Sequence, residues 1–355
     1  MRTQWSASGL LAALAAVALA PAALAWDAVG HRAITWLAID GLSKDAPPWL
    51  RNDAAKNHMV GWQSAEPDRW RNTRGLFIRH ENGPDHYMDV EDLTTYGLTL
   101  DTVPPLRYQF VAAMAVARHV HPEKVPPPNP RLDPSGEQEW PGFVMHAIME
   151  HHGKLVSSFK TLRTLEMIND PARAPQVEMT KANIMVEMGV LAHFVGDTAQ
   201  PLHTTKHHHG WVGENPRAYT TDRGIHAYID GGVIKVHRLN YHSLKAAQTY
   251  PLSFAADADL WKQTTAYLQR SHDKVVELYE LEKAGDLPKP TGKVFIEERL
   301  HDAAAMLAAL YNHAWATSEP TQKDVDDLLR FDSFDTRQLP GATAPSAAPP
   351  ATGAP

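Results

Sequence analysis

The segment Met179–Ala199 constrains the fold of this chain strongly, because it is mostly apolar on several faces. A helix at a protein surface confines its apolar residues to one stripe, so this segment predicts a buried, central helix. Alternating strand patterns are scarce, and six segments carry apolar residues at the three- and four-residue spacing of helices: 30–41, 103–120, 141–167, 177–199, 253–283 and 293–316. We therefore expect an all-α fold, a single-domain bundle of many helices.

The N-terminus has the pattern of a secretory signal peptide. Arg2 precedes an apolar run, Gly9–Pro21, and small residues follow in Ala22–Ala25. This order predicts cleavage between Ala25 and Trp26 and export to the periplasm or out of the cell. The alternative is a membrane anchor, which a short run containing a proline favours less. We expect no stable membrane anchor.

The C-terminus changes composition after about Phe334, where Pro, Ala, Gly and Thr dominate. Such a stretch lacks the apolar residues needed to form a core, which predicts disorder. The expected organisation is a signal peptide at 1–25, one folded domain at 26–332 and a disordered tail at 333–355.

The composition points to metal chemistry. The chain has no cysteine, which excludes disulfides, a cysteine nucleophile and thiolate zinc sites, whereas it has 20 histidines. Its formal net charge is −7, and proteins that bind nucleic acid non-specifically are normally basic. Either the substrate is not a nucleic acid, or bound cations supply a local positive field.

The strongest motif lies at the end of the central helix. His193 and Asp197 are four residues apart, so their side chains share one helical face, and imidazole with carboxylate is a suitable pair of zinc ligands. Pro201 ends the helix, and His203 follows at the point where the chain turns back. By spacing alone, a simple hydrogen bond between His193 and Asp197 on a helix surface is an equal alternative.

Three further regions carry the same residue types. A second His-x-x-x-Asp pair strengthens the zinc hypothesis, because each pair supplies only two of the ligands that a zinc ion needs. At the predicted cleavage point, a free α-amine and its own carbonyl can chelate a metal. The regions are His226-Ala-Tyr-Ile-Asp230, Glu66-Pro-Asp68-Arg-Trp-Arg71 with Asp85-His86-Tyr-Met-Asp89, and Trp26-Asp-Ala-Val-Gly-His31.

Together these motifs resemble the single-strand-specific zinc nucleases of the S-one/P-one type and, more distantly, the bacterial zinc-dependent phospholipases C. The resemblance covers most of residues 26–235 as ordered motifs. It implies a helical bundle around a trinuclear zinc cleft that holds three Zn²⁺. The first would bind Asp68, His86, His193 and Asp197. The second would bind His203, His226 and Asp230. The third would bind the amine and carbonyl of Trp26, His31 and a bridging Asp197.

The resemblance also implies a reaction. Asp68, Arg71 and Asp197 would be the catalytic residues of a phosphodiesterase in which zinc activates water. Arg71 would bind the phosphate, Tyr87 would stack on a base and Asp89 would accept a hydrogen bond from the base edge. The expected substrate is single-stranded DNA or RNA, cleaved to 5′-phosphates, with 3′-nucleotides as a related substrate.

Two alternatives stay open. A phospholipase C would instead hydrolyse phospholipid head groups. The short Trp26-to-His31 spacing, Asp230 where phospholipases tend to have Glu, and the presence of Arg71 favour the nuclease. A periplasmic zinc-storage protein is the non-enzyme alternative. The sequence predicts no protein partner, and His207-His208-His209 is interpreted as a solvated loop.

Overall fold

The computed structural model describes residues 26–125 and 140–332, and the chain is an all-α protein of one domain, as predicted. The predicted signal peptide, 1–25, and the predicted disordered tail, 333–355, lie outside the described residues. Fifteen α-helices occur within the described ranges: α1 Ala28–Asp40, α2 Pro48–Asn52, α3 Ala54–Gln63, α4 Glu66–Arg71, α5 Leu76–Asn82, α6 Arg107–Val120, α7 Val144–Ile168, α8 Ala174–Ala199, α9 Ile225–Ala227, α10 Val233–His237, α11 Tyr241–Leu244, α12 Leu260–His272, α13 Val275–Lys283, α14 Pro290–Ala316 and α15 Gln322–Phe331.

Helix α8 is the central helix that the sequence predicts. Every residue from 188 to 199 is buried, and α1, α3, α7 and α14 pack around it. The helix ends at Ala199 because the next residue, Gln200, precedes a proline and is extended, with φ −82° and ψ 115°. The ring of a proline disfavours helical geometry in the residue before it. His193 and Asp197 lie in the last part of α8, and both are completely buried.

The predicted helix that differs most from the structure is 253–283, where the first helix begins only at Leu260. The predicted helix 253–283 is two helices, α12 and α13, separated at Asp273 and Lys274. The buried positions Ser271, Val275 and Leu278 keep helical spacing across the break. Apolar periodicity depends only on that spacing, so it could not reveal the interruption.

A short irregular segment, 84–90, brings further predicted site residues to the end of α8. Met88 donates its backbone N–H to the carbonyl of His203 at 2.9 Å, and Asp89 donates to that of Pro141 at 2.6 Å. Gly142 has φ +112°, and a Cβ there would lie 2.0 Å from the carbonyl oxygen of Tyr87. Only glycine permits this close approach, which seats the segment between the His203 turn and the start of α7.

None of the helices within residues 26–125 and 140–332 combines the length and apolar character needed to cross a bilayer.

Candidate metal centre

Eight side chains that the sequence predicts as ligands converge in three buried groups. Within each group the candidate ligand atoms lie within 4.8 Å of one another. The groups are His31, Asp68 and His193; His86, His193 and Asp197; and His203, His226 and Asp230. The last two follow predicted ligand sets, whereas the first places His31, predicted for the third zinc, with two ligands predicted for the first. These residues come from α1, α4, the 84–90 segment, α8, the turn after it, and the 225–232 region. Tertiary packing therefore assembles one centre from segments up to about 200 residues apart in the chain.

His193 and Asp197 form the middle of the centre. His193 Nε2 lies 3.0 Å from His86 Nδ1 and 3.9 Å from Asp68 Oδ1. Asp197 reaches two directions, with Oδ2 2.9 Å from His86 Nδ1 and Oδ1 3.3 Å from His31 Nε2. A carboxylate with one oxygen on each of two ligand groups is suited to bridge two metals. The simple surface hydrogen bond considered from the sequence does not describe this fully buried pair.

Backbone carbonyls set the tautomers of two histidines. His193 Nδ1 lies 2.8 Å from the carbonyl oxygen of Ser64, and His203 Nδ1 lies 2.6 Å from that of His86. A carbonyl oxygen only accepts, so each Nδ1 carries the proton. In the neutral form of each ring Nε2 then keeps its lone pair, and Nε2 of His203 faces His226 Nε2 at 2.9 Å. Histidine ligands are commonly oriented by this kind of outer hydrogen bond.

The ionisation states favour ligation at the group formed by His203, His226 and Asp230. Burial lowers the pKa of His203 to about 4 and, together with the nearby His203, holds the pKa of His226 well below its usual value. Both imidazoles are therefore neutral near pH 7, the form that binds a metal. Burial raises the pKa of Asp230 well above the carboxyl range. A metal ion at this group would reverse that effect by stabilising the carboxylate.

The donor set fits a divalent cation. Asp197 Oδ1 and Asp230 Oδ2 are buried and accept no hydrogen bond from the described residues. Burial alone would raise the pKa of Asp197, but His193 and His203 outweigh it and hold that pKa well below its usual range. Carboxylates concentrated away from water need positive charge beside them. Imidazole and carboxylate donors suit zinc.

Trp26 lies against the same centre and is completely buried. Its indole N–H donates to the carbonyl of Gly196 at 2.9 Å, and the next backbone N–H, of Asp27, donates to the carbonyl of Asp230 at 3.0 Å. The predicted N-terminal residue is thus tied both to α8 and to the second His-x-x-x-Asp pair. From α1, the His31 ring stacks on that of His193 with centroids 4.1 Å apart.

A cavity of about 390 Å³ opens beside this centre. His203 and His226 line it, and so do the three predicted substrate-binding residues, Arg71, Tyr87 and Asp89. Arg71 Nη2 lies 2.9 Å from Asp68 Oδ1, and the Tyr87 hydroxyl donates to the carbonyl of Trp140 at 3.2 Å. These contacts hold both side chains at the cavity wall. Burial raises the pKa of Asp89, although His208 opposes the shift.

The interpretation of residues 207–209 as a solvated loop is wrong. His207 is buried, and its ring stacks on that of Trp211 with centroids 3.8 Å apart. His208 and His209 line the cavity, as do Arg79 and Lys206. Polar residues followed by a glycine are typical of an exposed loop, and this composition does not show that Trp211, four residues after His207, covers the His207 ring. Composition therefore did not predict that these residues lie at the cavity.

Removing bound metal should lower the thermal stability of the protein. We expect a chelator to reduce Tm by about 5–15 °C, because ions that bind only the folded state add to its stability and their loss leaves buried carboxylates uncompensated. Differential scanning calorimetry with and without chelator measures the shift. Zinc, but not calcium, should restore the original Tm. An unchanged Tm would show that the groups hold no metal.

Comparison with known proteins adds no assignment: the chain matches no protein-family model and no curated protein sequence.

Proposed function

We propose that the protein is an exported zinc-dependent phosphodiesterase, an endonuclease that cleaves single-stranded DNA or RNA to 5′-phosphate products and also accepts 3′-nucleotides. The convergence of all eight predicted side-chain ligands into three buried groups carries this proposal. The type of reaction is the one that the sequence resemblance to the zinc nucleases implies. The nine residues that would hold three Zn²⁺ are Trp26, His31, Asp68, His86, His193, Asp197, His203, His226 and Asp230.

Zinc bound at these groups would make water nucleophilic near neutral pH and would offset the negative charge that develops on a phosphodiester. The remaining work belongs to side chains at the cavity wall. Arg71 presents a planar guanidinium, which suits two oxygens of one phosphate. Tyr87 offers an aromatic face to a base, an interaction that tolerates any base and contributes about 1–3 kcal/mol. Asp89 would contact the base edge.

The local distribution of charge bears on how an acidic protein could bind a negatively charged polymer. The net charge is −7, yet three basic side chains, Arg71, Arg79 and Lys206, line the cavity against two acidic ones, Asp89 and Asp92. Bound zinc ions would add to this local positive field. A positive cleft concentrates anionic substrate even when the whole surface is acidic.

A substrate panel tests the proposal. Purified protein that starts at Trp26, with zinc restored, should hydrolyse single-stranded DNA and RNA faster than the duplex forms, and the products should carry 5′-phosphates. Phosphatidylcholine vesicles are included in the same panel. Inactivity on both nucleic acids, with zinc bound, would refute the nuclease. Inactivity on every phosphodiester would support zinc storage.

Replacing Arg71 should weaken phosphate binding. We expect Arg71→Lys to reduce kcat/KM on single-stranded DNA by about 10–100-fold, because lysine keeps the charge but loses the paired hydrogen bonds. Steady-state kinetics measures the change. The control is Arg69→Lys on the same helix, α4, since Arg69 pairs with Glu66 and does not line the cavity. Equal losses in both variants would contradict a phosphate-binding role.

A phospholipase C is the second candidate, favoured by one surface feature. Leu76 and Phe77 are exposed, Phe77 by 89%, and they lie on α5, whose Arg79 lines the cavity. Apolar side chains near a phosphate-binding cavity would suit the surface of a lipid bilayer. Release of phosphocholine from the vesicles, without cleavage of nucleic acid, would make this the correct function.

A further inference from the structure

We propose that Gln200 is a positioning residue that sets the orientation of Asp230 for zinc binding with His203 and His226, an inference that rests on the proposed function. Gln200 is completely buried. It occupies the junction between α8 and the turn that carries His203. It belongs to none of the three ligand groups.

The hydrogen bonds of Gln200 define which end of its amide faces Asp230. The backbone N–H of Leu202 donates to Gln200 Oε1 at 2.6 Å, and a backbone N–H can face only an acceptor. The amide nitrogen must therefore lie on the other side, where Gln200 Nε2 donates to Asp230 Oδ1 at 2.8 Å. The orientation of the amide follows from its partners.

This hydrogen bond leaves the two carboxylate oxygens of Asp230 in different environments. Oδ1 is occupied by Gln200, whereas Oδ2 is buried, accepts no hydrogen bond from the described residues and lies 3.3 Å from His226 Nε2. Asp230 lies in a π-helical turn, Tyr228–Gly232, whose geometry departs from the adjoining α-helix. Such turns are frequent at functional sites. The side-chain bond holds the carboxylate plane so that Oδ2 faces the histidines.

Gln200 also contacts the other ligand groups through its backbone. Its N–H donates to the carbonyl of Asp197 at 3.0 Å, and its carbonyl accepts from the N–H of His203 at 2.9 Å. One buried residue thus joins ligands from the central helix, the following turn and the second His-x-x-x-Asp pair. Its backbone bonds persist with any side chain, so a side-chain substitution tests the contact with Asp230 and Leu202 alone.

Two substitutions test the inference by zinc content. Gln200→Glu keeps an acceptor for Leu202 but places an oxygen, in place of the N–H donor, beside Asp230 Oδ1. Gln200→Met keeps the length and removes both hydrogen bonds. After dialysis at fixed free zinc, we expect three zincs per wild-type protein and two in each variant. The affinity for the missing zinc should fall about 10–100-fold, as for other outer-sphere partners.

The matched control is Tyr311→Phe. Tyr311 lies on α14, and its hydroxyl donates a buried hydrogen bond to the carbonyl of Met188 on α8. Neither residue belongs to a ligand group. This substitution should lower Tm and keep three zincs. Three zincs with wild-type affinity in both Gln200 variants would overturn the inference, and so would loss of the same zinc in Tyr311→Phe. Wild-type protein that holds no zinc would instead overturn the proposed function, and the positioning role with it.

Discussion

Asp197→Asn is expected to release more than one zinc and to reduce phosphodiester hydrolysis by about 10²–10³-fold or more. The two oxygens of Asp197 lie beside ligands of different groups, 3.3 Å from His31 Nε2 and 2.9 Å from His86 Nδ1. An asparagine amide has one acceptor oxygen and no charge, so it cannot serve two metals. Elemental analysis of the dialysed variant gives the zinc content, and kinetics on single-stranded DNA gives the rate.

Asp68→Asn provides the comparison for this prediction. Asp68 is also buried and also contacts His193, but the resemblance assigns it to one zinc. We expect this variant to lose one zinc and to keep the others. If Asp197→Asn loses one zinc or none, the bridging role of Asp197 is wrong.

Protein with extra residues ahead of Trp26 is expected to lose the third zinc and most of its activity. Trp26 is buried between Gly196 and the segment that holds Asp230. If its α-amine is a ligand, a preceding residue converts that amine into a peptide nitrogen, which has no lone pair available for a metal. Zinc content and activity of a form that begins with two added glycines, compared with a form that begins at Trp26, measure the effect.

The control for this prediction carries the same two glycines at the C-terminus, where no ligand is assigned. It should keep three zincs and full activity. Full activity and three zincs in the N-terminally extended form would exclude the amine as a ligand. The expected result would make removal of the predicted signal peptide a step in activation, since the third site would be incomplete before cleavage.

The helical class and the central helix were predictable because a buried helix has a characteristic spacing of apolar residues along a short stretch of chain. Apolar spacing reports which face of a segment is buried, and α8 is buried as its spacing predicts. The same spacing gives no information about backbone hydrogen bonding, so it did not predict the break between α12 and α13. Apolar spacing also gives no information about which loop residues are buried, as the buried His207 demonstrates.

The candidate ligands were predicted from residue type, spacing and the resemblance to the zinc nucleases, but type and spacing alone do not show that these residues meet. Four-residue spacing places His193 beside Asp197 on one helical face, whereas nothing in that spacing brings His86 within 3.0 Å of His193. Gln200 was overlooked because a glutamine before a proline is ordinary in a loop. Its role depends on burial and on a partner 30 residues away.

The sequence by itself determined the all-α class, the position of the central helix and the residue types available for metal binding, because these depend on contacts within a few turns of chain. Only the tertiary structure decided that eight of those residues share three buried groups, that Gln200 holds Asp230 and that the histidines of 207–209 approach the cavity. These features depend on contacts between segments far apart in the chain, which form only when the helices pack.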